Sequence, residues 1–370
     1  MHKSEQIIGL DLLRFSAALM VVIYHLGVRT WSADTSMSQI VDGAVRYEPL
    51  AFGWIGWVGV EIFFALSGFV IAYSAERASA LSFLRSRILR LAPAVLICAT
   101  ITLAVQLVLG RRDVWDDYLG SILFSPIGPW IDAPYWTLPI EISFYAVVLV
   151  ALLFNAFNRI EWIAAAVGLS SSAIWALHRL GVDVVAFNTH QSNLSLLQHG
   201  CHFAIGVMLW LLLAKGVRLH RLILLGVFLA AGWLEIGFMA PMKAVTGANL
   251  DAPGLAWLCG LALMVVSVRF RKHLSGPWNG AARQIGLATY PLYLVHAALG
   301  SWIIKILRDH GVEQWTALTV AVGLVLVLSF LISWRLEPAV RRLLGRPVDA
   351  LLARAAAAKP GLAAATSPVT

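Results

Sequence analysis

Residues 11–25, DLLRFSAALMVVIYH, decide the fold, because this apolar run carries an arginine near its start and a histidine near its end. Runs of about 20 apolar residues, the length that crosses the hydrocarbon core as a helix, recur along the chain. Of all residues 59% are hydrophobic and only 13% are charged, whereas an ordinary soluble domain has about 25% charged residues. The sequence therefore predicts an all-α, polytopic integral membrane protein.

The hydropathy pattern predicts about ten transmembrane helices. They run at about residues 7–28, 54–76, 88–109, 136–157, 160–180, 195–214, 219–239, 253–270, 284–307 and 314–335. With the N-terminus in the cytoplasm, most Lys and Arg fall in cytoplasmic loops and most acids fall outside, as the positive-inside rule requires. We therefore expect both termini in the cytoplasm and a location in the cell inner (cytoplasmic) membrane.

The chain divides into a transmembrane domain, residues 1–340, and a low-complexity tail, residues 341–370, which is predicted to be a disordered cytoplasmic segment. The net charge of +8 is explained by the Lys and Arg of the cytoplasmic loops. Nucleic acid is therefore not expected as a partner, and membrane lipids are expected as neighbours of the helices. The three cysteines, Cys98, Cys201 and Cys259, lie in apolar segments without metal-ligand spacing, and their odd number predicts no disulfide framework.

Arg14 and His25 lie eleven residues apart on the first helix, which separates them by about 16 Å along the axis. Eleven residues make nearly three turns, so both side chains project from nearly the same face. Ionisable residues that face the interior of a membrane bundle mark functional sites. The alternatives are an interfacial histidine and an arginine that snorkels to the cytoplasmic surface.

Glu141, in PYWTLPIEISFY, is predicted at about the depth of His25 on the fourth helix. A carboxylate beside a histidine fixes its tautomer and stabilises the imidazolium that forms when the ring takes a proton. The sequence thus predicts His25 and Glu141 as catalytic partners. The alternative is a structural pair between Glu141 and an arginine.

Arg87 and Arg90, in FLRSRILRLAP, lie three residues apart on one face at the cytoplasmic start of the third helix. Arginine forks match phosphate oxygens well. Together with Arg14 at a similar depth, they predict a site for a phosphorylated cofactor. Positive-inside anchoring explains such a cluster equally well.

Other polar groups lie on the second, sixth and ninth helices. Tyr290 and Tyr293, in TYPLYLVH, share one face in mid-membrane, and Glu61 lies near the outer end of the second helix. These three are predicted to contact substrate. His199 and His202 have i, i+3 spacing, but the sequence offers no evident third ligand, so no metal is predicted.

These motifs resemble those of the membrane-bound acyltransferase-3 family. They occur in family order from residue 7 to about 340, and each string alone is weakly specific. The matching features are the Arg14-to-His25 spacing, FFALSGF, RILRLAP, YWTLPIEISFY, TYPLYLVH and WRLEPAV. The resemblance implies an O-acyltransferase that uses acetyl-CoA as donor. Family acceptors are carbohydrate hydroxyls, as in lipopolysaccharide O-antigens, exopolysaccharides, lipochitooligosaccharides and antibiotics.

The resemblance and the positions of these residues along the helices together predict a mechanism. Acetyl-CoA enters from the cytoplasm, the three arginines hold its phosphates, and its thioester reaches His25 and Glu141. His25 then acts as general base towards a hydroxyl or accepts the acyl group itself. Tyr290 or Tyr293 is a candidate for stabilising the oxyanion.

Some family members carry a fused SGNH-type hydrolase domain, and this chain has no room for one. We therefore expect a standalone member or one that needs a separate partner protein. The competing interpretation is a transporter or flippase, which predicts substrate movement without covalent change or CoA dependence. The sequence leaves the acceptor, the acyl group and the oligomeric state open, including a homo-oligomer.

Overall fold

The structure, a computed structural model, describes residues 7–32, 35–41, 49–187, 189–274 and 276–358. Every regular element within these ranges is a helix, which confirms the predicted all-α class. Parts of the first outer loop, including residues 42–48, and the end of the tail lie outside the described residues.

Eleven helices of 15 residues or more make up most of the described chain. They are α1 (Ile8–Gly27), α2 (Gly59–Ala75), α3 (Ala80–Val108), α4 (Thr137–Leu153), α5 (Ile160–Arg179), α6 (Gly200–Ala214), α7 (Leu219–Lys243), α8 (Ala252–Arg269), α9 (Asn279–Asp309), α10 (Gln314–Leu331) and α11 (Glu337–Ala358). Shorter helical segments lie between them, at Arg29–Trp31, Ser36–Ile40, Gly53–Val58, Trp115–Ile122, Ala133–Trp136, Phe157–Arg159, His190–Leu194, Arg271–Leu274 and Ile332–Leu336.

The protein is a multi-pass membrane protein. Over the described residues, nine helical segments are long and apolar enough to cross a membrane, and α6 is a shorter apolar helix of 15 residues. Each of the ten helices predicted from hydropathy therefore has a counterpart. The boundaries differ most at α3, which begins at Ala80 because the Ser79 side chain caps the backbone N–H of Ser82.

The predicted tail begins as a helix. A π-helical turn, Ile332–Leu336, joins α10 to α11, and α11 continues to Ala358, in keeping with its alanine-rich sequence. Arg85 anchors α11 to α3 through a bidentate pair with Asp349, with N–O distances of 2.5 and 3.0 Å. Residues 359–370 lie outside the described residues, so the division into a domain and a disordered tail stays a prediction.

Glycines allow the central helices to approach closely. A Cβ at Gly68 on α2 would lie 2.1 Å from the carbonyl oxygen of Phe203, and one at Gly206 on α6 would lie 2.0 Å from that of Ala65. The α2 and α6 backbones therefore cross in direct contact, as small residues permit in membrane bundles. The most buried spans contain α2 and α9, which therefore form the centre of the bundle.

Candidate functional site

A cavity of about 190 Å³ lies between α1, α2, α3, α4 and α9. Six of the eight site residues predicted from sequence line it: Arg14, Arg87, Arg90, Glu141, Tyr290 and Tyr293. Because these residues come from four helices, only the folded bundle brings them together. The remaining two, His25 and Glu61, are not lining residues.

Arginines from two helices meet at this central cavity. The Arg14 guanidinium lies 3.9 Å from the Asp11 carboxylate. The charges of Arg90 and Glu141 also act on it electrostatically. Arg87 lies over the rings of Phe83 and Tyr145, at 5.3 and 5.5 Å, a geometry in which aromatic faces attract cations.

Two buried donors on the cavity wall have no hydrogen-bond partner among the described residues. They are the Nε of Arg87 and the hydroxyl of Tyr290. Buried polar groups in native structures almost always have a partner, so each exception needs an explanation. The arrangement suits an anionic or carbonyl-bearing ligand that would accept these hydrogen bonds.

Glu141 contacts side chains other than those predicted. Its Oε1 accepts a hydrogen bond from the hydroxyl of Ser67 on α2 at 2.9 Å and from that of Tyr145 at 2.6 Å. The structure does not bring Glu141 to His25. Glu141 lies in the cavity wall close enough to Arg14 to act on its charge, and Arg14 is about 16 Å from His25 along α1.

His25 pairs with His296 on α9. The His296 Nδ1 lies 2.9 Å from the carbonyl oxygen of Tyr293 and 3.1 Å from that of Leu292. Carbonyls only accept, so this nitrogen carries the proton, and the Nε2 of the neutral ring is an acceptor. The Nδ1 of His25 must therefore donate to the His296 Nε2, 2.7 Å away. This assignment leaves the Nε2 of His25 unprotonated.

The histidine pair adjoins one wall of the central cavity. The ring of His296 lies 6.1 Å from that of Tyr293, and the Tyr293 hydroxyl lies 3.0 Å from the Thr137 hydroxyl. Both Tyr293 and Thr137 line the cavity. The hydroxyl of Thr30 donates to the backbone carbonyl of His25 and fixes the end of α1.

Glu61 lies in a separate buried group rather than in the cavity wall. We call Glu61, His199, His202 and Glu235 the Glu235 cluster, because the Glu235 carboxylate contacts both histidines. All four residues are buried.

The family follows from a comparison with known proteins. A model described as an acyltransferase domain matches residues 7–334, which is most of the chain. The chain belongs to the acyltransferase-3 family.

A curated relative, Acyltransferase MdmB from Streptomyces mycarofaciens, is 28% identical over 148 residues. The match covers 36% of this chain and 36% of that protein. No solved structure matches the chain at a significant level.

The acyltransferase-3 motifs contain site residues that sequence reasoning did not assign. Tyr145 lies one helical turn after Glu141 in YWTLPIEISFY, so their contact was accessible from i, i+4 spacing. His296 ends TYPLYLVH, but no local pattern pairs it with a residue 271 positions away. Ser67, in FFALSGF, donates a hydrogen bond to Glu141 across the α2–α4 contact.

Proposed function

We propose that this acyltransferase-3 protein transfers an acyl group, most simply acetyl, from cytoplasmic acyl-CoA to a hydroxyl of a cell-envelope or secreted carbohydrate. The observation that carries the proposal is the central cavity, whose wall holds Arg14, Arg87 and Arg90 and adjoins the histidine pair through Tyr293. Family membership and the name of the curated relative support acyl transfer in general.

The arginines would hold the phosphates of the donor. Hydrogen bonds between arginine and phosphate are charge-assisted and often bidentate, and a planar guanidinium suits them better than an ammonium. Pockets that enclose a drug-sized ligand measure about 300–1,000 Å³, whereas this cavity measures about 190 Å³. Only the narrow pantetheine arm would therefore enter it, and the nucleotide would stay at the arginine end.

His25 would do the proton chemistry. Its Nε2 is the basic nitrogen in the tautomer that His296 imposes, and a neutral imidazole is well suited to accept a proton near neutral pH. The hydroxyl oxygen attacks the thioester carbonyl as its proton moves to Nε2. The C–S bond then breaks, and the proton returns to the leaving thiolate, giving an ester and free CoA.

An acyl-histidine route uses the same residues. The His25 Nε2 attacks the thioester and the C–S bond breaks, so that CoA leaves as the thiolate. The carbohydrate hydroxyl then takes the acyl group from the ring and gives up its proton to that thiolate, which regenerates the neutral His25. Both routes pass through an oxyanion. The Tyr290 hydroxyl is the better placed donor for it, because the hydroxyl of Tyr293 already contacts Thr137.

Glu141 would act at the donor end rather than as the partner of His25. Its negative charge lies beside Arg14, and its Oε1 orients Ser67 and Tyr145. In this role its negative charge offsets the repulsion among the three arginines when no donor is bound. The acceptor would approach the other end, where the outer segments 29–53 and 110–135 are expected.

The test is donor binding and turnover by purified protein in lipid nanodiscs. We expect the wild type to bind CoA and to release free thiol from acetyl-CoA in the presence of a hydroxyl acceptor. Arg90→Ala should weaken CoA binding by about 10-fold or more, since a charge-assisted hydrogen bond contributes about 1.5–3 kcal/mol. His25→Ala should bind CoA normally and lose turnover.

Arg85→Ala is the matched control for the arginines. Arg85 lies on the same helix, but it pairs with Asp349 at the surface and is not a lining residue of the cavity. Its loss should leave CoA affinity unchanged. If the wild type binds no CoA, the donor site is wrong, and the transporter interpretation takes its place.

A further inference from the structure

The Glu235 cluster joins three helices behind the catalytic cavity. Glu61 comes from α2, His199 and His202 from the start of α6, and Glu235 from the middle of α7. The exposed fractions are 4% for Glu61, 2% for His199 and zero for His202 and Glu235. The function proposed above uses none of these residues.

The contacts within the cluster are short. The Glu235 Oε1 lies 2.6 Å from His199 Nδ1, and its Oε2 lies 2.5 Å from His202 Nε2. Glu61, His199 and Glu235 each offer one ligand atom, and these three atoms lie within 4.8 Å of one another. The sequence shows the two histidines, but both carboxylates come from distant helices.

The cluster has polar atoms that its own hydrogen bonds do not satisfy. Among the described residues, Glu61 Oε2, His199 Nε2 and His202 Nδ1 are buried without a hydrogen-bond partner. Both histidines contact Glu235. The carboxylate of Glu61 lies near that of Glu235 and has no cationic contact of its own within the cluster. Buried charges require a partner or a metal ion.

Lys243 does not supply that partner directly. It lies near enough to act electrostatically on both carboxylates, but its ammonium lies over the ring of Trp57, 4.7 Å from the centroid. Within the described ranges, no ion pair joins it to Glu61 or Glu235. The two negative charges therefore still favour a cation between them.

We propose that Glu61, His199 and Glu235 bind a divalent cation of the zinc class. Imidazole nitrogen and carboxylate oxygen are ligands that zinc accepts, at about 2.0–2.2 Å. The ion would lie between His199 and Glu235 and offset the charge of both carboxylates. It would also bond the orphaned oxygen of Glu61.

The ion would hold α2, α6 and α7 together directly behind the cavity wall. Phe64 lines the cavity, and its ring lies 5.1 Å from the ring of His199. The site is therefore structural: it fixes the wall against which the donor arm lies, and it touches no reacting atom. A metal held by ligands that form only in the folded protein also stabilises the fold.

The test is the metal content of protein purified with a tag that contains no histidine. The protein in nanodiscs is equilibrated with ZnCl₂, freed of excess metal by gel filtration, and measured by elemental mass spectrometry. We expect about one zinc per chain in the wild type, and at least a fivefold loss in Glu61→Gln and in His199→Ala. Chelator should lower the melting temperature of the wild type and not that of Glu61→Gln.

His220→Ala is the matched control. His220 also pairs with a glutamate, Glu161, but it lies outside the cluster. It should keep the wild-type metal content. A wild type with less than a tenth of an equivalent of zinc, or equal metal in Glu61→Gln and the wild type, would overturn the proposal.

X-ray absorption at the zinc edge of the wild type decides the question if the variants do not fold. Nitrogen and oxygen ligands at about 2.0–2.2 Å support the proposed set. Cys201, His202 and Glu235 form a competing group. A sulfur ligand at about 2.3 Å would assign the metal to that group and contradict the proposal.

Discussion

At the scale of single residues, His296 controls which nitrogen of His25 is basic. Its Nε2 accepts from His25, because its Nδ1 donates to the carbonyls one turn back on α9. A histidine held in the wrong tautomer cannot take the proton of the substrate hydroxyl. In the proposed mechanism His296 is thus a positioning residue, and it is buried away from solvent.

We predict that His296→Ala lowers kcat about 10- to 100-fold and leaves the KM for acyl-CoA nearly unchanged, because general-base catalysis contributes about 10²–10⁴-fold in total. His296→Gln keeps an acceptor near the position of Nε2 and should retain most of the activity. Steady-state kinetics over a pH series measures both, with His220→Ala as control. Equal losses in the Ala and Gln variants would show that the hydrogen bond to His25 has no part in catalysis.

Asp132 allows a pH prediction. Its Oδ2 accepts from the backbone N–H of Ala298 at 3.0 Å, and its Oδ1 accepts from that of Ala133 at 2.8 Å. Burial raises the pKa of Asp132 from 3.8 to about 6, against the two backbone donors, which lower it. The folded protein therefore binds this proton more tightly than the unfolded chain does.

The contribution of Asp132 to stability is therefore fully present below pH 3.8 and is lost as the pH rises through about 6. Its size is at most about 3 kcal/mol. We expect the melting temperature of the wild type to fall more between pH 5 and pH 8 than that of Asp132→Asn. Asp113→Asn, in an exposed turn, should follow the wild type. Parallel curves for wild type and Asp132→Asn would refute the assignment.

The presence of polar residues within the spans could be predicted from sequence, and their contacts could not. Arg14, Arg87 and Arg90 meet as predicted because all three lie near one end of the bundle. His25 and Glu141 do not meet, because Glu141 lies near Arg14, and spacing along the sequence fixes neither the rotation of each helix nor its exact depth. Glu235 is hidden within an apolar run, and only the packing of α7 on α6 reveals its contacts.

At the scale of helices, the α2–α6 crossing supports both the cavity and the Glu235 cluster. We predict that Gly68→Ala and Gly206→Ala each lower the melting temperature, because the new Cβ would overlap a backbone carbonyl oxygen. Overpacking of this kind costs about 1–3 kcal/mol. Activity should fall as well, since α2 carries Ser67, Phe63 and Phe64 of the cavity wall.

Gly226→Ala on α7 is the control for this prediction. A Cβ there meets no atom within 4 Å, and alanine favours a helix over glycine by about 0.5–1 kcal/mol. Its melting temperature should hold or rise slightly. If Gly68→Ala and Gly226→Ala change the melting temperature equally, the backbones of α2 and α6 are not in direct contact.

Hydropathy could predict the helices because every span needs an apolar run of defined length. It could not show where α11 ends, because an alanine-rich segment is compatible with a helix or a disordered tail. The Arg85–Asp349 pair, between residues 264 positions apart, holds that helix against α3.

At the scale of the whole molecule, the number of crossings depends on α6. At 15 residues it spans about 22 Å, less than the hydrocarbon core of about 30 Å. Its C-terminal neighbour Lys215 pairs with Glu76 at the end of α2, and Arg221 of α7 pairs with Glu161 of α5. These pairs put the end of α6 beside the end of α2 and the starts of α5 and α7, and we therefore predict that α6 makes a tenth crossing.

Ten crossings predict that Asp113 lies outside and Arg346 inside. Each position can carry the one exposed cysteine of a Cys259→Ala chain, in which Cys98 and Cys201 stay buried. The variants Asp113→Cys and Arg346→Cys can then be labelled with an impermeant maleimide in right-side-out vesicles. Asp113→Cys should react at once, and Arg346→Cys only after permeabilisation. Labelling of both variants would mean that α6 does not cross the membrane. Asp349 would then lie on the opposite side from Arg85, which contradicts their contact. Labelling of Arg346→Cys alone would invert the bundle and place the arginine end of the cavity outside, where cytoplasmic acyl-CoA could not reach it.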